Sequence, residues 1–260
     1  MDHGEGYDPT TYGAHVADIY DQMYRPDDTA VACLAGLAGA GPVLELAIGT
    51  GRLALPLAAA GPEVHGIDAS PAMVGRLRAK PGGETIPVTI GDFADVAVAG
   101  EYSLVFVALN TFFVLPTAQE QARCFRNVAR RLAPGGRFVI EAFVPDPSRF
   151  VRGHRADVAY VSGGVRINAS WHDTSTQRIA SLVLWLSPAG LRSWPVHIRY
   201  SYPAELDAMT LGAGLGLEHR WSGWERRPYT PDCPRHVSVY VRDPERKPSS
   251  SAAHRSGSRR

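Results

Sequence analysis

Val43 to Leu46 is apolar except for one acid, and the turn Ala47-Ile48-Gly49-Thr50-Gly51 leads from it into a helical pattern running from Leu53 to Ala60. The same alternation repeats downstream. Val64-His65-Gly66-Ile67-Asp68 reads as a second strand, and Ser70-Pro71 is suited to cap and open a helix reaching about Ala79. Ile86 to Ile90 is a third strand. Tyr102 to Leu109 is a fourth, apolar through its middle as a parallel strand covered on both faces must be. Gln119 to Leu132 has helical period, and Arg137 to Phe143 follows the turn Pro134-Gly135-Gly136 as a fifth strand. With a further short helix expected between the third and fourth strands, the rhythm predicts a Rossmann-like α/β fold with a parallel, doubly wound sheet.

Upstream, Val16, Ile19, Tyr20 and Met23 recur at helical spacing across Thr11 to Tyr24, and Arg25-Pro26 ends that helix before a second one from Asp28 to Ala38. After the fifth strand the pattern changes. Asp157 to Tyr202 contains at least three strand-like runs, Val165 to Trp171, Ile179 to Leu186 and Val196 to Tyr202, which predict an antiparallel β insertion. A helix from Pro203 to Leu215 and two closing strands, Leu217 to Trp224 and His236 to Val241, complete a seven-stranded sheet. The expected organisation is a helical lid over 1–38, a ligand-binding core over 39–150, the insertion over 151–202, the closing helix and strands over 203–241, and a Ser- and Arg-rich tail over 242–260 that is expected to be disordered.

Composition narrows the function classes. With 260 residues, 45% hydrophobic and 20% charged, the chain can bury one substantial core. A formal net charge of +1 makes no case for a nucleic-acid partner. No apolar run approaches membrane-spanning length and no basic-then-apolar leader is present, so a cytoplasmic protein without a membrane partner is expected. Cys33, Cys124 and Cys233 lie far apart without ligand spacing, so neither a disulfide framework nor a metal site is expected. Oligomeric state is not encoded in any pattern seen here.

Gly49 and Gly51 let the backbone turn tightly beneath a ligand, and the helix that follows offers free N–H groups. Gly49-x-Gly51-x-x-Ala54 fits a dinucleotide site as well as others, and Asp68, ending the second strand, suits a ribose in either case. Two acids discriminate. Glu45 inside the first strand is unwelcome beside a phosphate and useful beside an ammonium, while Asp92 after the third strand can accept from an adenine amino group.

Glu45-Leu-Ala-Ile-Gly-Thr-Gly51, Ile67-Asp-Ala-Ser70, Gly91-Asp-Phe93, Tyr102 to Thr111 and Leu132-Ala-Pro-Gly-Gly136 occur in the order seen in class I S-adenosylmethionine-dependent methyltransferases, which the chain resembles from about Tyr12 to Val241. Ala47 departs from the pattern where a first glycine is usual. The resemblance implies S-adenosylmethionine as cofactor: Glu45, Ala47, Gly49, Thr50 and Gly51 around the methionine part, Asp68 on the ribose, Ala69 and Met73 packing the adenine, and Asp92 with Phe93 at its edge. Tyr20 would cover the sulfonium, Arg25 would pair with the carboxylate, and Leu109 would border the donor.

The acceptor is expected at the carboxyl ends of the strands, under the insertion. Asn110, Tyr24, His172 and His197 are candidates for the chemistry, a histidine being needed as base for a phenol or alcohol. Tyr12, Phe112, Glu141, Trp171, Tyr200, Trp224 and Tyr229 are candidate acceptor contacts. Asn110-Thr111-Phe112-Phe113 lacks the Pro-Pro-aromatic run of methyltransferases acting on nucleic-acid bases. Together with Tyr20-Asp-Gln-Met-Tyr24, it resembles actinobacterial N-methyltransferases of linaridin peptides and, more loosely, of aminosugars. The expected reaction is methylation of an amine on a natural-product-like small molecule or peptide; O- or C-methylation, a nicotinamide-dependent oxidoreductase and a non-catalytic ligand-binding protein are the alternatives. Calorimetry separates the classes: S-adenosylhomocysteine is expected to bind and NAD is not, and Asp68→Ala is expected to weaken the former by about 2 kcal/mol, the scale of one charged hydrogen-bond pair.

Overall fold

The computed structural model describes residues 10–161 and 163–242. At its centre five strands run parallel: β1 (Val43–Leu46), β2 (Val64–Asp68), β3 (Val88–Ile90), β4 (Tyr102–Val107) and β5 (Leu132–Phe143). The insertion supplies β6 (His154–Val161), β7 (Gly164–Asp173), β8 (Arg178–Ser187) and β9 (Gly190–Arg199) as a separate four-stranded antiparallel sheet. β10 (Leu215–Trp221) and β11 (Arg235–Arg242) close the main sheet, whose order is β10-β11-β5-β4-β1-β2-β3 with β11 antiparallel to both neighbours. This is the Rossmann-like methyltransferase sheet expected from the β-α rhythm.

The helices are α1 (Thr11–Val16), α2 (Tyr20–Met23), α3 (Asp28–Ala38), α4 (Ala54–Ala59), α5 (Pro71–Arg78), α6 (Ala118–Arg131) and α7 (Pro203–Gly212). Because strand side chains alternate between faces, β4 sends Leu104 and Phe106 to a core shared with α3 and α4, and Val105 and Val107 to a second core shared with α6 and α7. Caps follow the sequence: Asp27 accepts from Thr29 and Ala30 N–H at the head of α3, Ser70 accepts from Met73 N–H at the head of α5, and Thr117 accepts from Glu120 N–H at the head of α6.

Three expectations change. Thr11 to Tyr24 is two short helices, because the break at 17–19 buries Val16, Ala17 and Ile19 together against Trp185 and Trp194 of the insertion, and tertiary burial outweighs local period. No helix lies between β3 and β4; Val96 there has φ 45°, incompatible with a helical turn. β5 begins at Leu132, so Pro134-Gly135-Gly136, expected as a turn before the strand, lies within it; the insertion, expected to have at least three strands, has four, and β6 carries an inverted pattern, with Val158 and Tyr160 62% and 89% exposed while Arg155 and Asp157 face inward. The tail expected to be disordered lies, from residue 243, outside the described residues.

A buried side chain of α6 ties the insertion to the core. Gln121 of α6, fully buried, donates Nε2–H to Arg199 O at 2.7 Å, and its Oε1 accepts from Ser201 Oγ at 2.7 Å and Arg199 Nη1 at 3.0 Å. Gln121→Leu strands these groups and is expected to cost about 2–3 kcal/mol, read as a lower urea midpoint at unchanged slope.

Candidate active site

The turn after β1 has three residues at positive φ: Ala47 at 56°, Gly49 at 57° and Gly51 at 77°. A Cβ on Gly51 would also lie 2.4 Å from Leu77 Cδ1, so that position is glycine for both conformation and packing. Asp68 fixes the turn. Its Oδ2 accepts from Gly49 N–H at 2.7 Å and its Oδ1 from Ser70 N–H at 2.8 Å, tying the turn to the head of α5. Each carboxylate oxygen retains a lone pair for a further donor such as a ribose hydroxyl. Burial raises the Asp68 pKa against these two bonds.

Glu45 is buried one residue before the end of β1, with Oε2 lacking any partner. Desolvation pushes its pKa up to about 8, although the Arg52 guanidinium nearby pulls the other way. A buried acid with one oxygen unpartnered, the Ala54 N–H bonding the carboxyl group, costs free energy that an ammonium would recover. The residues therefore fit the amino-acid end of S-adenosylmethionine. Met73 supplies an apolar wall, its Cε being 3.2 Å from where a Cβ on Gly49 would stand, and Ala69 borders it in sequence. At the far side Asp92 Oδ1 accepts from Ala94 N–H at 2.8 Å and Oδ2 stands 3.6 Å from Arg123 Nη2.

α2 is clamped to this turn. Asp21 of α2 accepts from Thr50 Oγ1 at 2.6 Å and from Lys80 Nζ at 2.7 Å, and Lys80 also donates to Thr50 O at 2.8 Å. Behind the clamp Tyr20 and Tyr24 pack with ring centroids 4.8 Å apart. Burial pushes the Tyr20 pKa up to about 12 and also raises that of Tyr12 well above its usual value, so both hydroxyls keep their protons. Arg166 of β7 donates from Nη1 to the Tyr24 hydroxyl at 3.1 Å, joining lid to insertion.

A cavity of about 370 Å³ opens at the carboxyl ends of β4 and β5. Its floor includes Asn110 and Phe143; its roof is the inner face of the insertion, with Arg155, Asp157, Asn168 and Ser170 beside His172 and Tyr200. His172 Nε2 and the Tyr200 hydroxyl are 2.8 Å apart, and burial lowers the His172 pKa while raising that of Tyr200 to about 12. Both groups are thus held neutral, and the tyrosine donates to Nε2 in the tautomer that carries the imidazole proton on Nδ1. Asn110 sits at φ 64° with its Oδ1 accepting from Phe143 N–H at 2.7 Å, and Glu141 Oε2 accepts from the N–H of Leu109, itself at φ 54°. Asn110 and Glu141 thus shape the cavity floor by holding the β4 and β5 ends together.

Several expected contacts lie elsewhere. Phe112 is fully buried among Phe125 and Phe138 in the core, and Trp224 is buried in the core on the α3 side of the sheet. The Phe93 ring also belongs to a core cluster, which leaves its backbone for any adenine contact. His197 is exposed on the outer face of β9, and Trp171, adjacent to His172 on β7, points to the face opposite the cavity. Tyr229 lies under the Arg220 guanidinium, 5.8 Å from its ring centroid, and outside the cavity lining. Arg25 is exposed; its carbonyl, 3.4 Å from Arg52 Nη1, makes the contact toward the turn. Sequence reading passed over Arg155, Asp157, Asn168 and Ser170. Their signal was polar residues at every second position of two strands, a pattern ordinarily read as a solvent face.

Residues 43–136 match a family described as a methyltransferase domain. With this site and sheet, the chain belongs to the S-adenosylmethionine-dependent methyltransferases. Among individual proteins it is similar to the CcbJ methyltransferase from Streptomyces caelestis, at 40% identity and a TM-score of 0.83, with 91% of this chain and 100% of that one covered. It is 28% identical over 232 residues to the cypemycin N-terminal methyltransferase of a Streptomyces species, covering 86% of this chain and 94% of that protein. It is also 28% identical over 204 residues to the dTDP-4-amino-2,3,4,6-tetradeoxy-D-glucose N,N-dimethyltransferase of Saccharopolyspora spinosa, covering 71% and 78%. Among the described residues no helix is long and apolar enough to cross a membrane.

Glu45 gives the donor site a proton signature. With its pKa at about 8 the free protein holds it mostly protonated at pH 7, and an ammonium placed beside it favours the carboxylate. Binding of S-adenosylhomocysteine at pH 7 is therefore expected to release a proton, seen as an enthalpy that changes with the ionisation enthalpy of the buffer. Glu45→Gln is expected to abolish that dependence. The same raised pKa makes the ligand-free protein lose stability as pH rises from the unfolded carboxyl value of 4.5 toward 8.

Proposed function

We propose that the chain methylates an amine of a natural-product-like small molecule or peptide. The observation that carries the reading is the cavity roof, where the Asp157 carboxylate stands in a lining that also holds the His172–Tyr200 pair. Asp157 pairs through Oδ1 with Arg155, which also lines the cavity, and its Oδ2 favours a cationic amine over a neutral phenol on arrival. That amine must lose a proton before its lone pair can react, and Tyr200 lines the cavity with its hydroxyl already directed at a neutral imidazole. The Tyr200 hydroxyl accepts the proton as its own passes to His172 Nε2. The bound cofactor supplies the electrophilic methyl group. Asn110 keeps the floor in register, so the chain's contribution is alignment and proton removal. The printed names of two relatives, an N-terminal methyltransferase and an N,N-dimethyltransferase, support the amine.

In the same reading, residues 1–38 act as the lid, 39–150 with 203–241 as the donor-binding body, and 151–202 as the acceptor roof. Tyr20 covers the donor, Glu45 takes its ammonium, Ala47, Gly49, Thr50 and Gly51 border its methionine part, Asp68 takes the ribose, Met73 with Ala69 packs the adenine, and Asp92 reads the adenine edge. The His172–Tyr200 bond also suits O-methylation of a phenol, which is the second reading.

Mass spectrometry of products from a panel of amines, phenols and carboxylates decides between them; amine products alone are expected, and phenol ethers would favour the second reading. Asp157→Asn is expected to raise the acceptor KM by about tenfold, the scale of one weakened charge-assisted contact. Affinity for S-adenosylhomocysteine should stay unchanged in that variant.

A further inference from the structure

Among the described residues, the buried side-chain nitrogen and oxygen atoms without a partner are Glu45 Oε2, Arg123 Nε, Arg166 Nε, Trp185 Nε1 and His236 Nε2. Arg123 belongs to an acidic surface network with Asp92, Asp95 and Glu120, and His236 is bonded through Nδ1 to Ser238 on β11. The other three gather around the lid. Glu45 acts electrostatically on Tyr20, whose ring packs on Tyr24, which in turn receives Arg166 Nη1. Trp185 is the register partner of Arg166 across β7 and β8 and packs on Val16, Ala17 and Ile19 of the lid.

The chemistry of these atoms is complementary. Glu45 Oε2 is an acceptor in want of a donor, whereas Arg166 Nε is a donor in want of an acceptor; Trp185 Nε1 lies instead beside Gly164, 2.9 Å from where a Cβ there would stand. A zwitterion supplies both, its ammonium to Glu45 and its carboxylate to Arg166. Leaving such groups unmatched in a buried place is unfavourable, more so when they are charged.

We infer that Arg166, supported by the Tyr24 hydroxyl, forms the subsite for the carboxylate of the cofactor's amino-acid end. It takes the place expected of Arg25, which is exposed. Arg166 is part of the insertion rather than of the nucleotide-binding body, so the roof over the acceptor also completes the donor site. The rival cation is Arg52, which lies beside Glu45 and Tyr20 and whose Nη1 approaches Arg25 O at 3.4 Å.

Calorimetry with two ligands tests this: S-adenosylhomocysteine and its decarboxylated analogue, 5′-deoxy-5′-(3-aminopropylthio)adenosine. Arg166→Gln is expected to weaken the first by ~10- to 100-fold, the range of a charged hydrogen bond, and to leave the second within about twofold. Tyr24→Phe, which removes only a hydroxyl, is expected to show the same selectivity at smaller size, and it carries the test if Arg166→Gln melts early. Equal loss for both ligands would make the role structural and overturn the subsite. Unchanged affinity for S-adenosylhomocysteine would overturn it too, including the case where only the acceptor KM rises and the anion belongs to the acceptor. Selective loss in Arg52→Gln but not in Arg166→Gln would hand the subsite to Arg52 and overturn the inference. Failure of the unaltered protein to bind S-adenosylhomocysteine would instead strike at the methyltransferase assignment.

Discussion

Asp68 is the constraint on which the site depends. The turn after β1 must pass through left-handed backbone three times within five residues, and at Ala47 this is done without glycine, at a cost of about 1–2 kcal/mol. Such a conformation persists only where surrounding bonds over-determine it. One carboxylate, gripping Gly49 N–H with one oxygen and Ser70 N–H with the other, fastens the turn to the second β-α unit. The position of Glu45, the path of α4 and the seat of the lid on Thr50 all follow from that turn. A residue read from sequence as a ribose contact is thus first a structural fastener.

The parallel core was legible because each of its elements satisfies local and global preference together. Val43 to Leu46 and Tyr102 to Val107 are buried on both faces and look so, and Ser70-Pro71 caps a helix as its chemistry dictates. Glu45 stood out for a related reason: a buried acid is costly where it stands, and an unexplained cost in a strand is a visible signal. Legibility failed where burial depends on a partner distant in sequence. Phe112 and Trp224 carry the same aromatic character as a pocket residue, and only the packing of α6 and α3 shows that they are core. The break at 17–19 is likewise fixed by Trp185 and Trp194, far along the chain.

The insertion was the least legible part because it inverts the usual rule. Its inner face over the cavity is polar, with Arg155, Asp157, Asn168 and Ser170, while Val158 and Tyr160 face outward. Read without a tertiary frame, alternation of this kind assigns the wrong side to the core. Gln121, buried in α6 and bonded to both Arg199 and Ser201, is what turns that face toward the catalytic body. Roof and body are then one unit, and the cavity between them is lined by both.

The Asp21 clamp is sensitive to salt. The carboxylate holds Thr50 on the turn and Lys80 beyond α5 at once, while Asp18, three residues earlier, pairs with Arg192 of the roof. Any movement of α2 away from the turn must break the first two of these bonds together. One of the two is an ion pair, as is the Asp18–Arg192 contact, so dissolved salt weakens the hold by screening. The seat of α2 on the turn is therefore a latch whose tension the solvent can adjust.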